Sequence, residues 1–196
     1  MDNKFSTAPK RKEIFVRIDR CVACKTCEIQ CALKRSSLSQ RLPEAIYEAV
    51  SPMPRLQVQQ IGDHGSLPIQ CRHCEDAPCL DACPSGALQR EKDGLVVMQG
   101  GKCIGCWMCL MVCPFGAIKP FREFRKAIKC DSCLGMEEPY CIAHCPTGAL
   151  VFMAKEEFLK EYGKDFKKQI FNQLLMNSQK VIKIDGKVGA RSPCPY

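Results

Sequence analysis

Apolar residues in this chain come in short runs bounded by Gly, Pro and charge, a pattern of small strands rather than long helices. Residues 14–18 (IFVRI), 94–98 (GLVVM) and 149–153 (ALVFM) read as strands, the middle run as the return arm of a hairpin. The alternation Arg55-Leu56-Gln57-Val58-Gln59 predicts one edge strand inside an extended insertion over 32–70, which also carries Pro43, Pro52, Pro54 and Pro68. Only residues 155–177 keep a helical period over distance. Phe158, Leu159, Tyr162, Phe166, Ile170, Phe171, Leu174 and Leu175 there predict an amphipathic helix, weakened at Gly163.

Cysteines fill the intervals between these runs. The chain has 196 residues and 17 cysteines, with only 7% aromatics, so side-chain packing alone does not account for its interior. Sixteen fall into four groups: Cys21, Cys24, Cys27, Cys31; Cys71, Cys74, Cys79, Cys83; Cys103, Cys106, Cys109, Cys113; and Cys130, Cys133, Cys141, Cys145. Each opens with C-x2-C and closes with C-x3-C, while the middle gap varies. Three groups end alike, CPSGAL, CPFGAI and CPTGAL; the first departs, because Ala32 follows Cys31. The closing step predicts a short helical turn stopped by Pro and reversed by Gly into a strand.

The N-terminus has neither an apolar signal core nor a paired-arginine export motif, and no stretch predicts a membrane span, so a cytoplasmic location is expected. There, dense cysteines read as metal ligands before disulfides. The third group matches the bacterial ferredoxin run C-x2-C-x2-C-x3-C-P, whose fourth cysteine serves the other cluster of a pair. The second and fourth match it with a longer middle loop. Zinc is the competing metal, but zinc sites use two separated pairs and have no need of a cysteine triplet followed by C-P-x-G-A. Radical S-adenosylmethionine enzymes carry C-x3-C-x2-C, which does not occur here. Four [4Fe-4S] clusters on sixteen cysteines are the expectation.

Groups two and three flank a short hairpin and are expected to exchange ligands. Cys71, Cys74 and Cys79 would then be completed by Cys113, and Cys103, Cys106 and Cys109 by Cys83. Groups one and four would pair around them: Cys21, Cys24 and Cys27 with Cys145, and Cys130, Cys133 and Cys141 with Cys31. Pairing of neighbouring groups, one with two and three with four, is the alternative; the 32–70 insertion makes groups one and two poor hairpin partners.

The motifs DRCVACKTCEIQCAL, CRHCEDAPCLDACPSGAL, KCIGCWMCLMVCPFGAI and KCDSCLGMEEPYCIAHCPTGAL, covering about residues 14–152, resemble a known family. It comprises the four-cluster iron-sulfur subunits of the formate dehydrogenase, formate hydrogenlyase and DMSO-reductase type. With SSLSQRLPEAIYEAVSPMPRLQV after group one, the chain looks most like the ferredoxin-like subunit serving carbon monoxide dehydrogenase. The resemblance implies an α+β fold of two nested ferredoxin-like modules plus a C-terminal amphipathic helix. The outer module would be 14–31 with 119–153, the inner one 71–118, the insertion 32–70, and the C-terminal helix and tail 154–196. It also implies the nested ligand sharing.

The implied role is electron transfer between a catalytic subunit (carbon monoxide dehydrogenase, formate dehydrogenase or hydrogenase) and another redox partner, such as a second electron-transfer or flavin subunit. Each group has its own four ligands, and no nucleophile–base or paired-carboxylate arrangement stands out, so no catalytic residue is expected. An iron-sulfur redox sensor and a zinc-binding structural protein are the alternatives. Of His64, His73 and His144, the last two lie inside complete groups and read as hydrogen-bonding residues or local surface charge rather than ligands; Trp107 and Phe115 read as apolar shielding, and Cys194 as a free thiol. The formal charge of +8 comes without a DNA-binding motif. Basic residues flanking the groups, among them Arg35 and Lys129, are read as offsetting cluster charge and meeting an acidic partner.

Overall fold

In this computed structural model the described residues are 11–61 and 66–163. In chain order they form β1 (Lys12–Val16), α1 (Thr26–Leu33), α2 (Leu42–Ala45), β2 (Gln57–Gln60), β3 (Ser66–Ile69), α3 (Pro78–Asp81), β4 (Leu88–Arg90), β5 (Val96–Met98), α4 (Met108–Val112), β6 (Ile118–Phe121), β7 (Lys126–Lys129), α5 (Tyr140–Ala143) and β8 (Leu150–Ala154). The strands make four antiparallel pairs, β1–β8, β2–β3, β4–β5 and β6–β7. The first joins the two ends of the region, Lys12 opposite Ala154 and Val16 opposite Leu150.

One turn recurs after groups two, three and four. The N–H of Gly86, Gly116 and Gly148 donates to the carbonyl of Cys83, Cys113 and Cys145 at 3.2 Å in each case. Proline occupies the second position and glycine the fourth, at φ +61°, +57° and +61°. Each turn ends a helix of four or five residues and launches β4, β6 or β8. After Cys31 there is no proline, so α1 runs on to Leu33 and is eight residues long. Helices α1 and α4 start without a side-chain cap, directly from the left-handed residues Lys25 and Trp107.

Two apolar cores are present. One joins Ile14, Val16, Leu56, Val58 and Leu150 to Cys27, Cys31, Cys130 and Cys141; the other joins Ala77, Leu88, Val96, Ile118 and Ala127 to Cys109. Helix α1 packs against α5 and α3 against α4, so the elements carrying groups one and four meet, as do those carrying groups two and three.

The insertion differs from its expectation of a single edge strand. β2 pairs with β3, with Pro68 opposite Val58. A strand of an isolated pair has one edge free of ladder bonds, which is where proline is tolerated. β6 follows the C-P-F-G turn as expected, whereas its partner β7 and α2 were not indicated by the sequence. Lys126-Ala127-Ile128-Lys129 is too short and too charged for the run to stand out, and α2 is a single turn begun by Pro43.

Residues 155–163 are helical and belong to a second unit that begins at Lys155. The remainder of the amphipathic helix expected over 155–177 lies outside the described residues, as do Cys194 and His64.

Candidate metal centres

All four cysteine groups sit on loops opening into a helix. In each opening C-x-x-C the third position has positive φ: Ala23 at 56°, His73 at 46°, Gly105 at 71° and Ser132 at 53°. Such a residue bends the loop so that backbone N–H groups turn inward, forming a concave nest for negative charge. The bonds are present: His73 N–H donates to Cys71 Sγ at 3.4 Å and Ser132 N–H to Cys130 Sγ at 3.3 Å. Ala127 N–H donates to Cys103 Sγ at 3.5 Å and Ala149 N–H to Cys145 Sγ at 3.2 Å.

Thiols from separate groups come close enough to influence one another electrostatically. Cys27 lies within reach of Cys24 and Cys145. Cys141 lies within reach of Cys130, Cys31 and Cys133, and further of Cys27. Cys79 has Cys71 and Cys113 as neighbours, and Cys109 has Cys103, Cys83 and Cys106. Cys71, Cys74, Cys79 and Cys113 line a single small, partly open cavity, walled by Val96, Phe115 and Ile118.

Burial works against ionisation of several of these thiols. Desolvation pushes Cys27 and Cys130 up to about 12 and Cys109 to about 11, and raises Cys31, Cys79 and Cys141. Such thiols become thiolates when a metal replaces the proton. Cys83 and Cys145 go the other way. Burial raises each, but it is outweighed by backbone donors at Leu88 and Leu150 and by the Ser85 and Thr147 hydroxyls. These donors belong to the C-P-x-G-A-L turn, whose chemical purpose is thereby visible.

The donor set fits an iron-sulfur cluster. It supplies many thiols and N–H groups aimed at sulfur, and one cavity brings together cysteines from two separate groups. Among the described residues no three Cys, His, Asp or Glu side chains come close enough to hold one metal ion.

His73, which sequence reasoning left open between hydrogen bonding and surface charge, is 4% exposed. Burial, then the charges of Lys129 and Arg11, hold its imidazole neutral, down to about 3. Its Nδ1 lies 3.1 Å from both the N–H and the carbonyl oxygen of Val96, and its Nε2 lies 3.1 Å from Ser132 Oγ, so the ring ties β5 to the loop of group four. His144 is exposed, with Nδ1 2.9 Å from the Tyr140 carbonyl. Lys129 is 1% exposed, and its ammonium donates to the carbonyls of Val96 and Cys130. It therefore offsets local charge and is not part of a docking surface. Arg55, absent from the residues singled out in the sequence, donates its backbone N–H to Cys31 Sγ at 3.3 Å. No sequence signal marks it, since it lies 24 residues from that thiol.

The 4Fe-4S dicluster domain family matches residues 63–155, which contain groups two, three and four. The chain is 39% identical over 153 residues to an iron-sulfur protein of Rhodospirillum rubrum, spanning 70% of this chain and 79% of that one. It is 34% identical over 162 residues to a chain of the anaerobic dimethyl sulfoxide reductase of Escherichia coli, spanning 76% of each. Against the electron transport protein HydN of the same organism it is 35% identical over 157 residues, spanning 70% of this chain and 85% of the relative. The thiol-lined loops and these relatives together place the chain in the family of 4Fe-4S ferredoxin-type electron-transfer subunits of oxidoreductases.

Proposed function

We propose that this chain holds four [4Fe-4S] clusters and relays electrons between a catalytic redox subunit and a second redox partner, with no catalytic site of its own. When bound, each cluster supplies a one-electron couple; the chain supplies the thiolates, the N–H donors and the apolar cover that tune it. The ligand sets are Cys21, Cys24, Cys27 and Cys145; Cys31, Cys130, Cys133 and Cys141; Cys71, Cys74, Cys79 and Cys113; and Cys83, Cys103, Cys106 and Cys109. The observation carrying this assignment is the company each thiol keeps. Cys113 shares a cavity with Cys71, Cys74 and Cys79, and Cys141 feels Cys31 across 110 residues of chain. On this reading the region is two nested ferredoxin-like modules, groups two and three inside groups one and four.

The same neighbourhoods order the sets in a file. Cys141 reaches Cys27 in the first set, Cys130 reaches Cys71 in the third, and Cys109 reaches Cys79. Only Cys24 and Cys106 among the sixteen are exposed, and they belong to the first and last sets. Val22 and Ile104 beside them are 64% and 67% exposed, apolar surface suited to a partner at each end. The catalytic partner is of the carbon monoxide dehydrogenase, formate dehydrogenase or hydrogenase kind, a reading that rests on the four motifs and on relatives described as part of a reductase and as an electron transport protein.

Iron and acid-labile sulfide analysis of anaerobically purified protein tests the cluster count, with about sixteen irons expected. Zinc, or about four irons, would overturn it. Cys31→Ser tests the nesting: an undisturbed cluster at Cys130, Cys133 and Cys141 would sink it. Anaerobic co-purification identifies the partner, and recovery of no redox enzyme would remove the relay reading.

A further inference from the structure

Cys31 lacks the turn that serves the other closing thiols. Cys83 and Cys145 take hydrogen bonds from the C-P-x-G-A-L turn, including Ser85 and Thr147, whereas Cys31 lies inside α1 and is followed by Ala32. Its replacements come from the insertion and from group four. Arg55 N–H donates to Cys31 Sγ at 3.3 Å. The same residue's guanidinium binds Asp131 Oδ2 at 2.8 Å, and Arg35 Nη2 binds Asp131 Oδ1 at 2.5 Å. Asp131 Oδ1 also accepts from Cys133 N–H at 3.1 Å. The triad is mostly shielded, its side chains 20–26% exposed, and it carries two cations against one carboxylate. The Arg35 charge bears on Cys31 and Cys133, and that of Arg55 on Cys31. One donor is left over: Arg35 Nε is buried and has no hydrogen-bond partner.

We propose that Arg35, Asp131 and Arg55 form a cationic clamp that raises the reduction potential of the site held by Cys31, Cys130, Cys133 and Cys141, with Arg35 Nε–H donating to a sulfur of that site. Reduction adds one negative charge to a buried site of four thiolates. A fixed net positive charge in a poorly screened region favours that reduced form, and an N–H directed at sulfur does the same. An orphaned donor among thiols is also the arrangement expected of a group whose acceptor is the bound cluster. The arginines are positioning residues: Arg55 touches Cys31 through its backbone N–H, Arg35 acts on Cys31 and Cys133 through its charge, and together they set the energy at which the site accepts an electron.

This inference rests on the ligand assignment proposed above, and one experiment separates the two. Full-length holoprotein is titrated anaerobically with dithionite under electron paramagnetic resonance, and the couple altered by Cys31→Ser is assigned to this site. In Arg35→Gln and Arg55→Gln that couple alone moves down. At fixed potential its reduced-to-oxidised ratio falls about tenfold, which is 59 mV for a one-electron couple. Asp131→Asn, which leaves both cations and removes the anion, moves it up. Arg35→Lys keeps the charge and shifts it less than Arg35→Gln. Full iron content with an unmoved couple in Arg35→Gln overturns the clamp alone, as does a shift of Asp131→Asn in the same direction as Arg35→Gln. If Cys31→Ser leaves all four couples in place, the ligand assignment and the clamp fall together.

Discussion

Lys129 sits where a lysine is least expected, buried between Val96 on β5 and Cys130 at the start of group four. An ammonium out of water is costly unless donors and charge are both matched. Two carbonyls take its protons, and the thiolate-rich surroundings, Cys79 among them, take its charge. Replacing it with Met keeps the volume but takes a donor from both Val96 O and Cys130 O. The expected cost is about 1–3 kcal/mol, seen as a lower guanidinium midpoint for bleaching of cluster absorbance. An unchanged midpoint would mean that water or movement satisfies both carbonyls. The sequence held half of this. Lys129 next to a cysteine group was read as a charge offset, but a lysine in a charged hairpin gives no sign of burial, because burial here comes from β5, some thirty residues earlier.

At the scale of elements, the left-handed third position of each C-x-x-C loop is the repeat that matters, and residue identity conceals it. Gly105 alone announces the conformation; Ala23, His73 and Ser132 adopt it as ordinary L-residues. The cysteine spacing, the C-P-x-G turn and the strands after it were legible because each has its own residue signature. The loop conformation was not, because Ala, His and Ser carry no residue signature for a left-handed backbone. Two substitutions at equivalent positions should act oppositely. Ala23→Gly removes the left-handed penalty of about 1–2 kcal/mol and should slow cluster loss under guanidinium. Gly105→Ala would put a Cβ 2.2 Å from the Arg125 carbonyl, so the loop carrying Cys103 and Cys106 must shift. About a quarter of the iron should then be missing from the purified protein, on the four-cluster reading. If both variants behave like the parent in iron content and bleaching rate, loop geometry does not govern cluster retention.

For the molecule as a whole, the two cores among the described residues are small, one with four cysteines among its nine buried residues, so on the four-cluster reading the inorganic groups supply part of the interior that side chains do not. The buried thiols make the dependence steep. With Cys27, Cys109 and Cys130 at about 12, 11 and 12, stripping the metal at neutral pH returns them to the protonated form and removes the reason for their left-handed, N–H-lined loops. Charge changes in step. An oxidised four-thiolate cluster carries roughly −2, so on the four-cluster reading the clusters offset the formal +8 and the basic apo-chain becomes nearly neutral when loaded. Anaerobic removal of iron with a chelator and oxidant should therefore do two things together. The protein should bind a cation exchanger more tightly, and residues 12–154 should lose circular-dichroism signal and protease resistance. A chain that keeps its β1–β8 closure without iron, judged by protection of its amides from hydrogen exchange, would show the side chains sufficient to fold it.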